Sequence, residues 1–196
     1  NLLKINAADK KKKDRFPARS LLIPGVMIAY GISSIEVEVL EQFNAKVNDE
    51  IYAEEPHRKL IIDDYLQFSP GIAVYGLNAM GIKGKHNFRD RTAIYLISNA
   101  LLGTSVYAAK KISRELRPDA SGYTSFPSGH TAEAFASAEF LRMEYKGLSP
   151  WYGYAGYGVA LATGYLRMYN NKHWLGDIVA GAGIGIASTK IAYWLY

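Results

Sequence analysis

Residues 91–110, RTAIYLISNALLGTSVYAAK, decide the fold class: between Arg91 and Lys110 no charged residue occurs. An uncharged run of that length fits one buried or membrane-crossing helix, because about 20 helical residues span a hydrocarbon core roughly 30 Å thick. The pattern repeats downstream. Gly147 to Leu166 is a second uncharged run, and Ile178 to Tyr196 a third, interrupted only by Lys190. Between them, Thr131 to Tyr145 reads as a helix that carries Glu133, Glu139, Arg142 and Glu144. Upstream lie two shorter apolar stretches, Leu21 to Ile32, broken by Pro24 and Gly25, and Leu66 to Ile82. Strand alternation is absent, so the expected fold is all-α: a bundle of about six core helices with the active site in loops at one end. One domain is expected over residues 1–196, with 1–19 a basic polar N-terminal segment.

From Glu36 to Asp64 the chain turns acidic, and Val37, Val39, Leu40, Phe43, Val47 and Ile51 recur at the spacing of an amphipathic helix lying on a surface. The run Lys10 to Lys13, with Arg15 and Arg19, reads as a membrane-proximal anchor, a solvated tail or the remnant of a leader. Cysteine is absent, which removes disulfides, thiolate metal sites and cysteine nucleophiles from consideration. A formal charge of +5 favours anionic partners. Nucleic acid is not among those expected, since no basic recognition helix, RNA-binding aromatic motif or zinc-finger spacing occurs. The fifteen tyrosines suit either membrane interfaces or half-buried packing positions.

If the apolar stretches cross a membrane alternately, the basic segments Lys10–Arg19, Lys83–Arg91 and Arg142–Lys146 all fall on one side, as the positive-inside rule requires. The loops 110–130 and 167–177 then share the opposite side. A soluble or peripheral bundle with the same up-down order is the competing arrangement.

Those two loops carry three clusters. Lys110 is followed, after six residues, by Arg117-Pro118; Pro127-Ser128-Gly129-His130 comes next; Arg167 precedes His173 by five intervening residues, and Asp177 follows after three more. Two arginine forks and a lysine point charge suit a phosphomonoester, whose charge spreads over three oxygens during transfer. Ser128 and Gly129 stand at a helix entry, where free backbone N–H groups and the helix dipole meet an anion. His173 and Asp177 lie four apart, on one helical face if the helix begins near His173. A carboxylate bonded to one ring nitrogen fixes the tautomer and frees the other nitrogen to attack phosphorus. His130 then serves as general acid to the leaving oxygen. Each cluster alone has an ordinary structural explanation: a snorkelling lysine, a capped helix entry, a hydrogen-bonded pair. In this order, with two of only four histidines at the decisive positions, they read as one site.

The three clusters together resemble the signature of the type 2 phosphatidic acid phosphatase and vanadium haloperoxidase superfamily: Lys-x6-Arg-Pro, Pro-Ser-Gly-His and Ser-Arg-x5-His-x3-Asp. Leu166 departs from it, standing where the family has Ser; Thr163, one turn earlier, is a possible substitute hydroxyl. The resemblance implies His173 as nucleophile, His130 as acid and then base, Asp177 orienting His173, and phosphate held by Lys110, Arg117, Ser128, Gly129 and Arg167. It implies no metal and no cofactor, with vanadate as an inhibitor. The expected reaction is hydrolysis of a phosphate monoester or pyrophosphate, of a lipid in preference to a soluble phosphoester. The expected place is a bacterial cell envelope, in or against the inner membrane, with the site on the extracytoplasmic side. A vanadate-dependent haloperoxidase and a non-catalytic headgroup-binding envelope protein are the rival readings. Gly181, Gly183 and Gly185 are read as close helix packing, because no strand precedes them as a nucleotide loop requires. His57 and His86 are read as solvated loop residues.

Overall fold

The computed structural model describes residues 18–53 and 58–196. The run Lys10–Lys13, Arg15 and His57 lie outside the described residues. Among those described there are helices and no strands. In chain order they are α1 (Leu22–Glu36), α2 (Glu38–Asn48), α3 (Asp63–Leu66), α4 (Ser69–Ala79), α5 (Phe88–Ser113), α6 (Gly129–Tyr145), α7 (Trp151–Tyr169) and α8 (Leu175–Leu195). Six of these, α1 and α4–α8, form an up-down bundle; α2 and α3 lie at one end of it.

Local signals place the helix ends. Asn87 caps α5 by accepting from the Asp90 N–H at 3.0 Å, and Arg114 closes it in the left-handed region at φ 48°. Ser128 caps α6, its hydroxyl accepting from the Thr131 N–H. Pro24 does not break the first apolar stretch. It sits in the first turn of α1, where a missing N–H costs no intrahelical bond, and the helix continues to Glu36.

The charged helix is the innermost. On α6, Glu133 accepts from the Tyr95 hydroxyl at 2.7 Å and from Ser137 Oγ at 3.1 Å. Glu139 accepts from Arg142 and from the Tyr157 hydroxyl at 2.6 Å. Glu144 takes the Tyr193 hydroxyl and the His86 ring at 2.7 Å, and the His86 N–H at 3.0 Å. Each carboxylate thus finds its partners inside the bundle, which is how ionisable groups are kept at membrane depth. His86, expected in a solvated loop, instead ties the entry of α5 to α6. Among the described residues, three helical segments are long and apolar enough to cross a membrane: Ala18–Glu36, Phe88–Ser113 and Leu175–Leu195.

The glycines of α8 act as the packing reading expects. A Cβ on Gly181, Gly183 or Gly185 would collide with the backbone carbonyls of Ser128, Pro24 and Ala132 respectively. α8 therefore runs in backbone contact with both α1 and α6. That approach brings the N-terminus of α8, which carries Asp177, beside the N-terminus of α6, which carries His130.

The ends of the bundle are also as expected. Lys190 Nζ donates to the Ser20 carbonyl at 2.8 Å, and the Lys85 N–H to the Glu144 carbonyl at 3.0 Å. Arg19, Lys83–Arg91 and Arg142–Lys146 therefore share one end, and the loops 114–128 and 170–174 the other.

Candidate active site

The two loops at the far end are stitched together at several points. The Asp119 N–H donates to the Asn171 carbonyl at 3.1 Å, Lys172 pairs with Asp119 at 2.6 Å, and Trp174 Nε1–H donates to the Leu116 carbonyl at 2.9 Å. At their junction stands Asp177, in the first turn of α8. Its Oδ2 accepts from Ser125 Oγ at 2.5 Å, from the Trp174 N–H at 2.9 Å and from His173 Nδ1 at 3.2 Å. The Asp177 carbonyl accepts the Ser128 N–H at 3.1 Å. One residue thus joins the second and third sequence clusters.

His173 and Asp177 are 2% and 1% exposed, so their pair is shielded from water. Burial, with Lys110 and Arg167 nearby, pushes His173 down to about 4 against the opposing pull of Asp177. The imidazole is neutral at pH 7. With Nδ1–H donated to Asp177, the lone pair lies on Nε2.

The cations surround the same region. Lys110, on the last turn of α5, donates to the Thr124 and Ser125 carbonyls at 2.5 and 3.2 Å. Arg167, near the end of α7, pairs through Nη1 with buried Asp63 at 2.6 Å. The Nε atoms of Arg117 and Arg167 are both buried without a hydrogen-bond partner among the described residues. Two unsatisfied guanidinium N–H groups need an acceptor, and a phosphate oxygen is one. A cavity of about 740 Å³ lined by Tyr107, Lys110, Lys111, Arg114, Tyr123 and Thr124 shares Lys110 with this region.

Ser128 contributes differently from the sequence reading. Its hydroxyl caps α6 and also bonds Thr131 Oγ1 at 2.9 Å, and its N–H is committed to Asp177. The N–H groups at that helix entry that lack an intrahelical acceptor begin with Gly129 and His130. Thr163 does not replace the hydroxyl missing at Leu166; it donates to the Val159 carbonyl of its own helix at 3.0 Å.

Three acidic residues were not singled out by sequence. Glu115 carries a carboxyl raised by burial and by neighbouring Asp177 to about 9, hence neutral at pH 7. Asp63 holds Arg167, and Asp64 Oδ1 lies 2.8 Å from His130 Nε2. Asp63, Asp64 and His130 offer ligand-type atoms within 4.8 Å of one another. Nothing in the spacing of Asp63 and Asp64 marks them. Only their distant partners on α6 and α7 do.

The sequence profile of the PAP2 superfamily matches residues 91–196. The chain belongs to the PAP2 superfamily. The matched segment holds all three clusters, so the chain carries the phosphoester-hydrolase signature of this superfamily, with only Leu166 departing from it. Among curated relatives, the lipid A 1-phosphatase of Porphyromonas gingivalis is 40% identical over 135 residues, which cover 68% of this chain and 30% of that protein. The chain thus spans less than a third of that relative's length. Two solved structures share the fold. LpxE of Aquifex aeolicus superposes with a TM-score of 0.59 at 22% identity, over 77% of this chain and 94% of the other. The phosphatidylglycerolphosphate phosphatase of Bacillus subtilis gives 0.54 at 16% identity, over 87% and 94%.

Proposed function

We propose that this PAP2 chain hydrolyses a phosphate monoester, or a pyrophosphate, of a membrane lipid through a phosphohistidine formed on His173. The observation that carries this reading is the buried His173–Asp177 pair, at the same end of the bundle as two arginines whose buried Nε–H groups lack acceptors among the described residues. Nε2 of His173 attacks phosphorus as the bond to the leaving oxygen breaks, and His130 gives that oxygen its proton. Water then attacks the phosphohistidine, His130 takes a proton back, and the P–N bond breaks to release phosphate. Lys110, Arg117, Arg167 and the N–H groups of Gly129 and His130 balance charge on the transferring group. No metal enters either step.

A lipid substrate is favoured by three features. Apolar helices bound the bundle. The 740 Å³ cavity sets cations against two tyrosines, which suits an amphipathic anion. The site end carries exposed Val39, Phe43, Ile61, Ile62 and Tyr65 on or next to α2 and α3, matching the expectation of an interfacial amphipathic segment. The named activity of the P. gingivalis relative points to a glycolipid phosphate as the first substrate to test. The basic segments at the opposite end of the bundle support an extracytoplasmic site in a bacterial inner membrane.

A panel of lipid A, phosphatidate, phosphatidylglycerophosphate, undecaprenyl pyrophosphate and soluble phosphoesters, assayed for phosphate release with and without EDTA, tests the reading. Release from a lipid, undiminished by EDTA and inhibited by vanadate, is expected. No release from any of them, or peroxide-dependent bromide oxidation with added vanadate in its place, would overturn it.

A further inference from the structure

His173 is not the only site histidine with a carboxylate: His130 Nε2 stands 2.8 Å from Asp64 Oδ1. The side chains of this second pair are 31% and 55% exposed, and an exposed ion pair by itself is a weak and often incidental contact. What sets this one apart is the anchoring of the chain that presents Asp64. Leu60 N–H donates to Asn170 Oδ1 at 2.9 Å, and Asn170 Nδ2 returns a bond to the Leu60 carbonyl at 2.7 Å. Asp63 is 1% exposed and takes Arg167 Nη1 at 2.6 Å. A short helix is therefore fastened to the end of α7 immediately before the residue that meets His130. Consecutive aspartates serve two different members of the site.

We propose that Asp64 is the positioning carboxylate of His130, forming a second carboxylate–imidazole pair that orients the ring and retains its proton for the leaving oxygen. This rests on the reading of His130 as the leaving-group acid. With Nε2–H donated to Asp64, the proton delivered is the one on Nδ1. It passes to the leaving oxygen as the P–O bond breaks and the bond from His173 Nε2 to phosphorus forms, and His130 is left neutral, still donating to Asp64. Burial holds His130 below a free imidazole; of the charged groups facing it, Arg167 of α7 also opposes protonation, while Asp64 and Asp63 of α3 work against that fall. Neutralising Asp64 leaves Arg167 less opposed.

The test compares Asp64→Asn with the unaltered chain on two substrates of unequal leaving group: dioctanoyl phosphatidate in detergent micelles, whose alkoxide needs a proton, and p-nitrophenyl phosphate, whose phenolate does not. Asp64→Asn should lower kcat on phosphatidate about 10- to 100-fold, as a fraction of what general acid catalysis contributes. KM should stay within about threefold, and p-nitrophenyl phosphate turnover should change far less. The basic limb of the phosphatidate profile should move to lower pH, and Asp64→Glu should restore part of the rate. Equal losses on both substrates, an unmoved basic limb, or faster turnover in Asp64→Asn would overturn the proposal. So would loss of unaltered-enzyme activity in EDTA with recovery on added zinc, which would make the pair metal ligands. His130→Ala separates the two levels: if it leaves phosphatidate hydrolysis intact, the acid role itself is wrong, whatever Asp64 does.

Discussion

The two histidines of this site have the same partner type and opposite surroundings. His173 and its carboxylate are almost wholly buried, His173 two residues before α8 and Asp177 in its first turn. His130 and Asp64 come from elements 66 positions apart in sequence and both reach solvent. The chemistry asks for that difference. A nucleophile must be neutral and aimed, so burial that disfavours the imidazolium helps it. An acid that later acts as base must exchange protons with water between steps, so it belongs near the mouth.

Three measurements break or sharpen this contrast. The largest expected effect is His173→Ala: with no nucleophile, phosphate release should fall at least about 10³-fold on good and poor leaving groups alike, with helical content by circular dichroism unchanged. Release at the unaltered rate on either substrate would remove His173 from the mechanism. Next is Asp177→Asn, which leaves Ser125 Oγ, the Trp174 N–H and His173 Nδ1 an amide where a carboxylate stood. The wrong tautomer of His173 becomes accessible, and kcat should drop about 10²- to 10⁴-fold; a loss below threefold would make the pair structural. The smallest effect is in pH. Because His173 is held down to about 4 and is active when neutral, its acid limb in kcat/KM should fall near pH 4, well below the 6.5 of a free imidazole. A His173-dependent limb near 6.5 would show that the ring is hydrated in the working enzyme.

The helices repeat the contrast between buried charge and exposed apolar surface. α6 has the most acidic sequence of the long helices and is buried on nearly every face, while α1 and α5 carry apolar residues such as Ile23 and Leu96 outward. In water that ordering would be inverted. Against lipid it is expected, because apolar side chains lose nothing by facing hydrocarbon and carboxylates must find partners inside.

The sequence by itself determined the helical class, the six long helices, the end of the bundle where the loops meet, and the three clusters. All of these depend on local composition or short spacings: uncharged runs, i to i+4 pairing, a serine cap before Gly129. It could also foretell the packing role of Gly181, Gly183 and Gly185, since small residues at helical spacing have few other uses. Tertiary structure decided what joins distant segments. Asp63 reaches Arg167, Asp64 reaches His130 and Glu115 lies against Asp177 across separations of dozens of residues, and no periodicity records such contacts. It decided, too, that the Ser128 N–H is committed to Asp177, and that the carboxylates on α6 are answered by tyrosines of other helices and by His86. The physical reason is the same throughout: a hydrogen bond is made by atoms that meet in space, and for these residues only the packing of six helices brings them together.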